Sequence, residues 1–345
     1  MAVTLKDIAT SCGVSIATVS RVLNNRTDGF SVKPANRDRI LETARSLGYR
    51  RNVAAANLRT RKTDQILIFD FSFERRERPR VYDPMISTAG ALLTKAGYQV
   101  CIAMAPHREE GEELLFPAMM DGAIVLQPDS QRWVMEELER IHVPYVAVNG
   151  QALEEGSTIL FDDVDGMQQA MQHLFDLGHT RIAYRFNGNM DDLRHPSIRD
   201  REETYVAAMQ AKGLTPVPDP KDSMSDGDFL RHVIADHGAT AVVVYDLVQV
   251  VDVIVAAQDL GLRIPDDISM ISFNEVPVPR MWNPEPTVVS IPAAKIGVTA
   301  AYLLLDMIGG TITSETKLVK EQLIIRQSTA PPRSHELPNL QGVHA

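Results

Sequence analysis

Ile16, Ala17, Ser20, Arg21 and Asn24 fall on one side of a short helical stretch, VSIATVSRVLNN at 14–25. Their types suit contact with a nucleic acid better than contact with water. At about 3.6 residues per turn, Val19 and Val22 take the opposite side and point into a small core. A solvent face ordinarily carries several Lys and Glu residues, and this one carries two aliphatic groups and a guanidinium. Arg21 can pair with guanine O6 and N7 or reach a phosphate, Ser20 and Thr18 can bind phosphate, and Ile16 and Ala17 can meet thymine methyl groups. The competing reading is a three-helix bundle with an ordinary exposed face.

The elements that must hold this face are local. Thr4 can cap a helix over Leu5–Cys12, with Asp7 placed for a reciprocal capping box. Gly13 stands where the chain must turn sharply, since glycine accepts positive φ. Ser15 caps a second helix over 16–24, and a third runs from Pro34 to Gly48 with Ile40, Leu41, Ala44 and Leu47 as its buried stripe. Such a bihelical unit with a tight turn lays its second helix in the major groove. GYRRNVAAANLRTRKT at 48–63 follows. Its VAAANL segment is too short to be stable as an isolated helix and can fold on binding. Leu58 is its large apolar residue, suited to wedging into a minor-groove base step; a plain interdomain linker is the alternative.

Charge separates this head from the rest. Residues 1–62 hold twelve Lys and Arg against four Asp and Glu, about +8, and the remainder holds 23 against 41, about −18, within a chain of 345 residues and net charge −10. A basic head on an acidic body points to nucleic acid; a solvated basic arm is the alternative. Cys12 and Cys101 lie in different domains, which suggests a reducing compartment without a disulfide framework. The N-terminus lacks the apolar region of a signal peptide and no run reaches the length of a membrane span, so a cytoplasmic protein is expected.

The body alternates strands and helices. Buried strands are predicted at 65–71, 98–104, 122–127, 144–149, 181–186, 240–245 and 268–273, with helices between, such as 130–141. These are βαβ units, and their number implies two lobes of doubly wound parallel sheet. Ligands in such folds sit off the C-terminal strand ends. The polar residues there are Asp70, Ser72, Gln127, Asn149, Asp162, Asp246 and Asn274, with Tyr82 as an aromatic face and Arg201 opening a long helix. Amides, carboxylates, an arginine and an aromatic suit a polyhydroxylated ligand, although a polar residue ending a strand is commonly a helix cap. The sequence has no G-x-G-x-x-G after a strand, P-loop, G-x-S-x-G or H-E-x-x-H. His173 and His179 read as cap and packing residues, and ERRERPR at 74–80 as a solvated loop or a lid. No catalytic residue, metal or cofactor is expected. The Pro-rich tail at 333–345 is expected to be disordered and not to form a coiled coil.

With these residues in place, the chain resembles the lactose-repressor (LacI/GalR) family of bacterial transcription regulators from Thr4 to about Pro332. TLKDIATSCGVSIATVSRVLN and GYRRNVAAANLRT are similar to the family's opening and hinge, and LGHTRIAY, GLRIPDDISMISFNE, EPTVVSIP and QLIIRQSTAPP to signatures of its core. The resemblance implies an all-α helix-turn-helix headpiece at 1–48, a hinge helix and linker at 49–64, and a two-lobed core similar to periplasmic sugar-binding proteins. One lobe would comprise 65–162 with 292–322 and the other 163–291 with 323–332, joined by crossovers near 162, 291 and 323. It implies a homodimer on a pseudo-palindromic DNA operator, with Thr4, Ser15, Ile16, Ala17, Thr18, Ser20, Arg21 and Asn24 in the headpiece and Asn52, Ala55 and Leu58 in the hinge as contacts. Arg201 matches an arginine that grips a ligand oxygen.

Other pocket positions depart from the family pattern. Asn149 stands where Asp is frequent, Asp246 where Asn is usual, Asn274 for the first Asp of FDD, Thr204 for a glycine, and YRFNGN for a glycine-rich strand end. The head carries about two extra residues in NNRTDGFSV. The expected function is a DNA-binding regulator, a repressor of a carbohydrate or related catabolic operon, controlled by a small-molecule effector such as a sugar derivative. The alternatives are a transport-type solute-binding protein and an enzyme on a small polyol with Asp70 or Asp246 as base.

Overall fold

Helix α1, Leu5–Cys12, begins at the expected Thr4 cap: the Asp7 amide donates to Thr4 Oγ1 at 3.4 Å and the Thr4 amide donates to Asp7 Oδ2 at 2.8 Å. It stops at Gly13, whose φ of 60° is the left-handed value that a Cβ disfavours. The computed structural model describes residues 3–23, 32–49, 62–70, 81–103, 120–128, 132–187, 195–218, 224–275 and 283–334.

Helix α2, Ile16–Leu23, starts where the Thr18 amide donates to Ser15 Oγ at 3.1 Å. Helix α3 is Pro34–Ser46. Ile8, Ala9, Cys12, Val19, Val22, Ile40 and Ala44 form the core of this three-helix unit. Arg39 fastens α3 to the end of α1 by donating to the Cys12 carbonyl at 2.6 Å. Leu47, expected in the buried stripe, is exposed instead: it is the C-cap just past the end of α3, beyond the last residue of that helix in the head core, Ala44. The chain separates into two units, Met1–Thr63 and Asp64–Ala345.

In the larger unit, β1 (Gln65–Asp70), β2 (Gln99–Ala103), β3 (Gly122–Leu126), β4 (Tyr145–Val148), β5 (Ser157–Phe161) and β10 (Thr316–Val319) form one sheet in the order β10-β5-β4-β3-β1-β2. All its pairings are parallel. Helix α4 (Tyr82–Lys95) and helix α10 (Ala293–Ile308) close one face through Met85, Ala89, Leu93, Ile296 and Leu304. Helix α5 (Arg132–Arg140) closes the other through Val134, Met135 and Leu138.

The second sheet takes β6 (Ile182–Arg185), β7 (Ala241–Val244), β8 (Ser269–Phe273), β9 (Thr287–Ser290) and β11 (Gln322–Ile324) in the order β11-β9-β8-β7-β6. Only β11 among them pairs antiparallel, with β9. Helices α6 (Asp163–Asp176) and α7 (Pro196–Ala211) cover one face, and α8 (Asp226–Arg231) and α9 (Leu247–Asp259) the other. Continuous apolar strands such as AVVV are the mark of parallel sheets buried on both faces.

The chain passes between the lobes after β5, after β9 and after β10, in each case from a C-terminal strand end. The third passage falls at Lys320–Glu321, and Gln322, expected in the first lobe, pairs with Ser290 in the second sheet. Arg333, expected in the tail, donates to the Ala239 and Asp267 carbonyls at 2.9 and 2.8 Å and so belongs to the second lobe. The rest of the tail from residue 335 lies outside the described residues.

Candidate DNA-reading face and interlobe site

Core packing buries one face of α2 and turns the other towards solvent. Val19 and Val22 are buried, while Ile16, Ala17 and Arg21 are exposed, Ile16 to 48%. Ser20 and Thr18 are half-buried, and Thr18 Oγ1 lies 2.8 Å from Ser15 Oγ at the helix start. The sequence reading expects this face to meet a DNA groove, and the structure leaves Ile16, Ala17 and Arg21 exposed. The other expected DNA contacts, Asn24, Asn52, Ala55 and Leu58, lie outside the described residues.

The C-terminal strand ends of the two sheets face the lobe junction, because all three passages leave from them. Gln127, Asn149 and Asn274 are the residues immediately after β3, β4 and β8, and their φ values are 53°, 61° and 63°. Left-handed backbone is costly for a residue with a Cβ, least so for Asn, and such strain gathers at binding sites. Asn149 spans the junction. Its Nδ2 donates to Tyr82 Oη at 2.9 Å in the first lobe, and its Oδ1 lies 3.5 Å from Ser197 Oγ of α7 in the second. Tyr82 is buried against the first-lobe core, as is Asp70 at the end of β1. Ser72 lies outside the described residues.

Arg201 does not open a helix as the sequence reading has it. It is the sixth residue of α7, and its side chain is 1% exposed. Its Nε donates to Asp163 Oδ1 at 2.6 Å, its Nη1 to the Tyr245 carbonyl at 2.6 Å and its Nη2 to Asn274 Oδ1 at 3.4 Å. Its guanidinium lies 4.0 Å from the Phe273 ring centre and 4.9 Å from that of Tyr245. Burial pushes this guanidinium down, and its acidic surroundings, Asp163 first among them, hold it above its ordinary value. Asp162 caps α6 by accepting from the Asp165 amide at 3.1 Å, and Asp246 caps α9 by accepting from the Gln249 amide at 2.9 Å. The acid that meets Arg201 is therefore Asp163, the neighbour of the expected Asp162: the cap turns Asp162 along the helix start and aims the next side chain inward.

Comparison with known proteins accords with both regions. Residues 4–52 match the family described as bacterial regulatory proteins, lacI family, and residues 171–329 match the periplasmic binding protein-like domain. The HTH-type transcriptional regulator CelR of Thermobifida fusca is 30% identical over 347 residues, covering 94% of this chain and 98% of that protein.

The chain belongs to the lacI family of bacterial regulatory proteins.

The HTH-type transcriptional repressor CytR of Escherichia coli is 29% identical, over 95% of this chain and 96% of its own. Among solved structures, the lac repressor dimer bound to operator and an anti-inducer superposes with a TM-score of 0.79 at 22% identity, covering 96% of this chain and all of that one. The CelR–cellobiose complex gives 0.65 at 25%, covering 94% and 99%. As a lacI-family member, this protein is a DNA-binding transcriptional regulator with a helix-turn-helix head and a two-lobed α/β core. No helix among the described residues is long and apolar enough to cross a membrane.

Several side chains at the junction were not anticipated: Asp163, Ser197, Tyr245, Phe273 and Glu321. Each is made relevant by partners far off in the chain, and a local pattern carries no sign of that. His173 and His179 do pack as expected. His173 Nε2 lies 3.0 Å from Thr329 Oγ1, and His179 bridges Thr240 Oγ1 and the Ala330 carbonyl, each at 2.8 Å.

Proposed function

We propose that this regulator acts in the cytoplasm as a homodimeric repressor on a pseudo-palindromic operator, with a sugar or sugar derivative between the core lobes controlling the grip on DNA. The observation that carries the DNA role is the exposed face of Ile16, Ala17 and Arg21 on a helix whose other face is locked into the head core. The reading of the junction is supported by Asn149 reaching both Tyr82 and Ser197, and by the aromatic rings of Tyr245 and Phe273 around Arg201. The neighbours include a lac repressor dimer on operator, a CelR–cellobiose complex and a regulator with bound ribose, which favours the same assignment. A ligand of this kind shifts the equilibrium only by its differential affinity for two lobe arrangements; full switching needs about 5.5 kcal/mol. The chain is read as a regulator rather than an enzyme, in keeping with relatives that are named as regulators.

The test has two arms. A duplex selected from a randomised pool by the full-length protein is expected to be pseudo-palindromic, and its binding to weaken steeply with salt. Selection of nothing beyond background ends the DNA reading. Thermal shift against cellobiose, ribose, nucleosides and sugar phosphates is expected to give one class that raises the melting temperature and alters that DNA binding; conversion of any of them to product would instead favour an enzyme.

A further inference from the structure

Arg201 has more acid around it than one guanidinium needs. Asp163 already takes its Nε, yet Glu321 Oε1 lies 3.8 Å from its Nη2, with the Glu321 side chain 0% exposed and neither carboxyl oxygen hydrogen-bonded. Glu321 is also the last residue of the third passage between the lobes, so the buried carboxyl sits in the hinge itself. Its place is built into α6: a Cβ at Gly166 would come within 2.0 Å of Glu321 Oε2 and 2.9 Å of Val289 Cγ1, so only glycine leaves room. Gln169 of the same helix fixes the strand by donating from Nε2 to the Glu321 carbonyl at 3.1 Å and accepting at Oε1 from the Leu323 amide at 3.1 Å.

The first turn of α6 presents Asp162, Asp163 and Asp165 to the Glu321 carboxyl; α7 presents Arg201; β9 presents the apolar Val289; and Lys320, adjacent in the chain, is exposed. The phenols of Tyr184 and Tyr245 lie around the same arginine. Among the described residues one cation, Arg201, faces four carboxyls, and one of them, that of Glu321, is buried without a hydrogen-bond donor. A carboxylate in that position would carry both its desolvation cost and the repulsion of three neighbours. Burial and the neighbouring Asp163 accordingly push the Glu321 carboxyl well above its ordinary range, with Arg201 opposing.

We propose that Glu321 holds a proton in this lobe arrangement and acts as a positioning residue for Arg201, so that separating the lobes at the third passage is linked to losing that proton. Protonated, Glu321 stays under α6 and leaves Arg201 paired with Asp163. Ionised, it is repelled by Asp162, Asp163 and Asp165, and the passage that carries it is drawn towards water. Rising pH therefore loosens the junction. The link to ligand control rests on the interlobe site proposed above; the proton does not, and it can be read without any ligand.

The experiment uses the full-length protein without ligand. Infrared difference spectra are expected to show a protonated-carboxyl band that persists at neutral pH in the wild type and is missing in Glu321→Gln. Its absence from the wild type overturns the proposal, even if the variant fails to fold. Urea unfolding is then followed from about pH 7.5 to 8.5, above the ordinary histidine value of about 6.5. Because the folded protein binds more protons, the wild-type folding equilibrium constant is expected to fall by up to about tenfold per pH unit relative to Glu321→Gln. Parallel curves overturn the proposal. Asp163→Asn removes the acid that competes for Arg201, so Glu321 is expected to ionise in its place and the pH slope to shrink. An unchanged slope counts against it. A melting shift with cellobiose or ribose in any of these proteins bears only on the interlobe-site reading.

Discussion

The head and the lobe junction solve the same problem, placing a few polar groups on a rigid support, with opposite bookkeeping in sequence. In the head, Thr4 meets Asp7 and Ser15 meets Thr18, each three residues apart. At the junction, Arg201 meets Asp163, Tyr245 and Asn274 across 38, 44 and 73 residues. Local pairs form with each helix and can be exchanged one at a time. Long-range pairs of this kind exist only once the whole second lobe has folded, and each member's cost depends on the others. The head can therefore vary its exposed face at little cost to folding, whereas the junction cannot vary its arginine.

The largest expected effect tests that claim. Arg201→Ala leaves Asp163 buried without its cation, and breaking a buried pair in this way costs about 3–5 kcal/mol. Urea unfolding of the full-length protein is the measurement. A cost below about 1 kcal/mol, the range of exposed pairs, would mean the junction is as tolerant as the head. Arg21→Ala is the counterpart. It is expected to weaken binding to the selected duplex by about 1–3 kcal/mol, with a shallower salt dependence if the contact is to phosphate. Stability is expected to stay within about 0.5 kcal/mol, as for surface substitutions in general. A variant that unfolds instead would show that the exposed face of α2 is structural.

The same contrast explains what the sequence discloses. The caps at Thr4 and Ser15, the turn at Gly13 and the split of Val19 and Val22 from Ile16, Ala17 and Arg21 follow from spacing within a turn or two, and the helices begin where spacing puts them. The apolar strands are visible as well, because burial on both faces makes them continuous runs. What stays hidden depends on tertiary neighbours. Leu47 reads as core by periodicity, yet α3 stops before it. Asp162 and Asp163 are adjacent acids, and only the geometry of the cap tells which faces Arg201. The strands β5, β9, β10 and β11 are three to five residues long and carry too little pattern to read, so the register of the third passage and the burial of Glu321 stay hidden with them. The resemblance of Arg201 to a ligand-gripping arginine is a statement about type; the partners that occupy it here come from the fold.

A smaller effect sharpens the local side. Thr4→Ala removes the side-chain half of the capping box and is expected to cost about 1 kcal/mol in the head. Serine at the same place should recover most of it, since the hydroxyl and not the methyl does the capping. Amide exchange in α1 reads the change, and loss of protection at the junction as well would break the separation between the two regions.

The smallest effect comes from His179, and its sign is opposite to that of Glu321. His179 Nε2–H donates to the Ala330 carbonyl, and Nδ1 lies 2.8 Å from Thr240 Oγ1. Burial, only partly offset by the Ala330 carbonyl, pushes its proton affinity below the ordinary histidine value of 6.5. The unfolded chain then binds the proton first, so this contribution is present above pH 6.5 and is lost as pH falls below it. The Ala330 carbonyl offsets part of the effect of burial, which is why it ranks last. His173, lowered for the same first reason, adds in the same direction. Glu321 works the other way, losing stability as pH rises above the 4.5 of an ordinary glutamate. The two slopes oppose each other between those values, and above pH 6.5 only the glutamate's remains. His179→Asn should flatten the acid side of the stability profile and leave the alkaline side to Glu321. If it changes the alkaline side, the second lobe's tail and the hinge are one titrating unit rather than two.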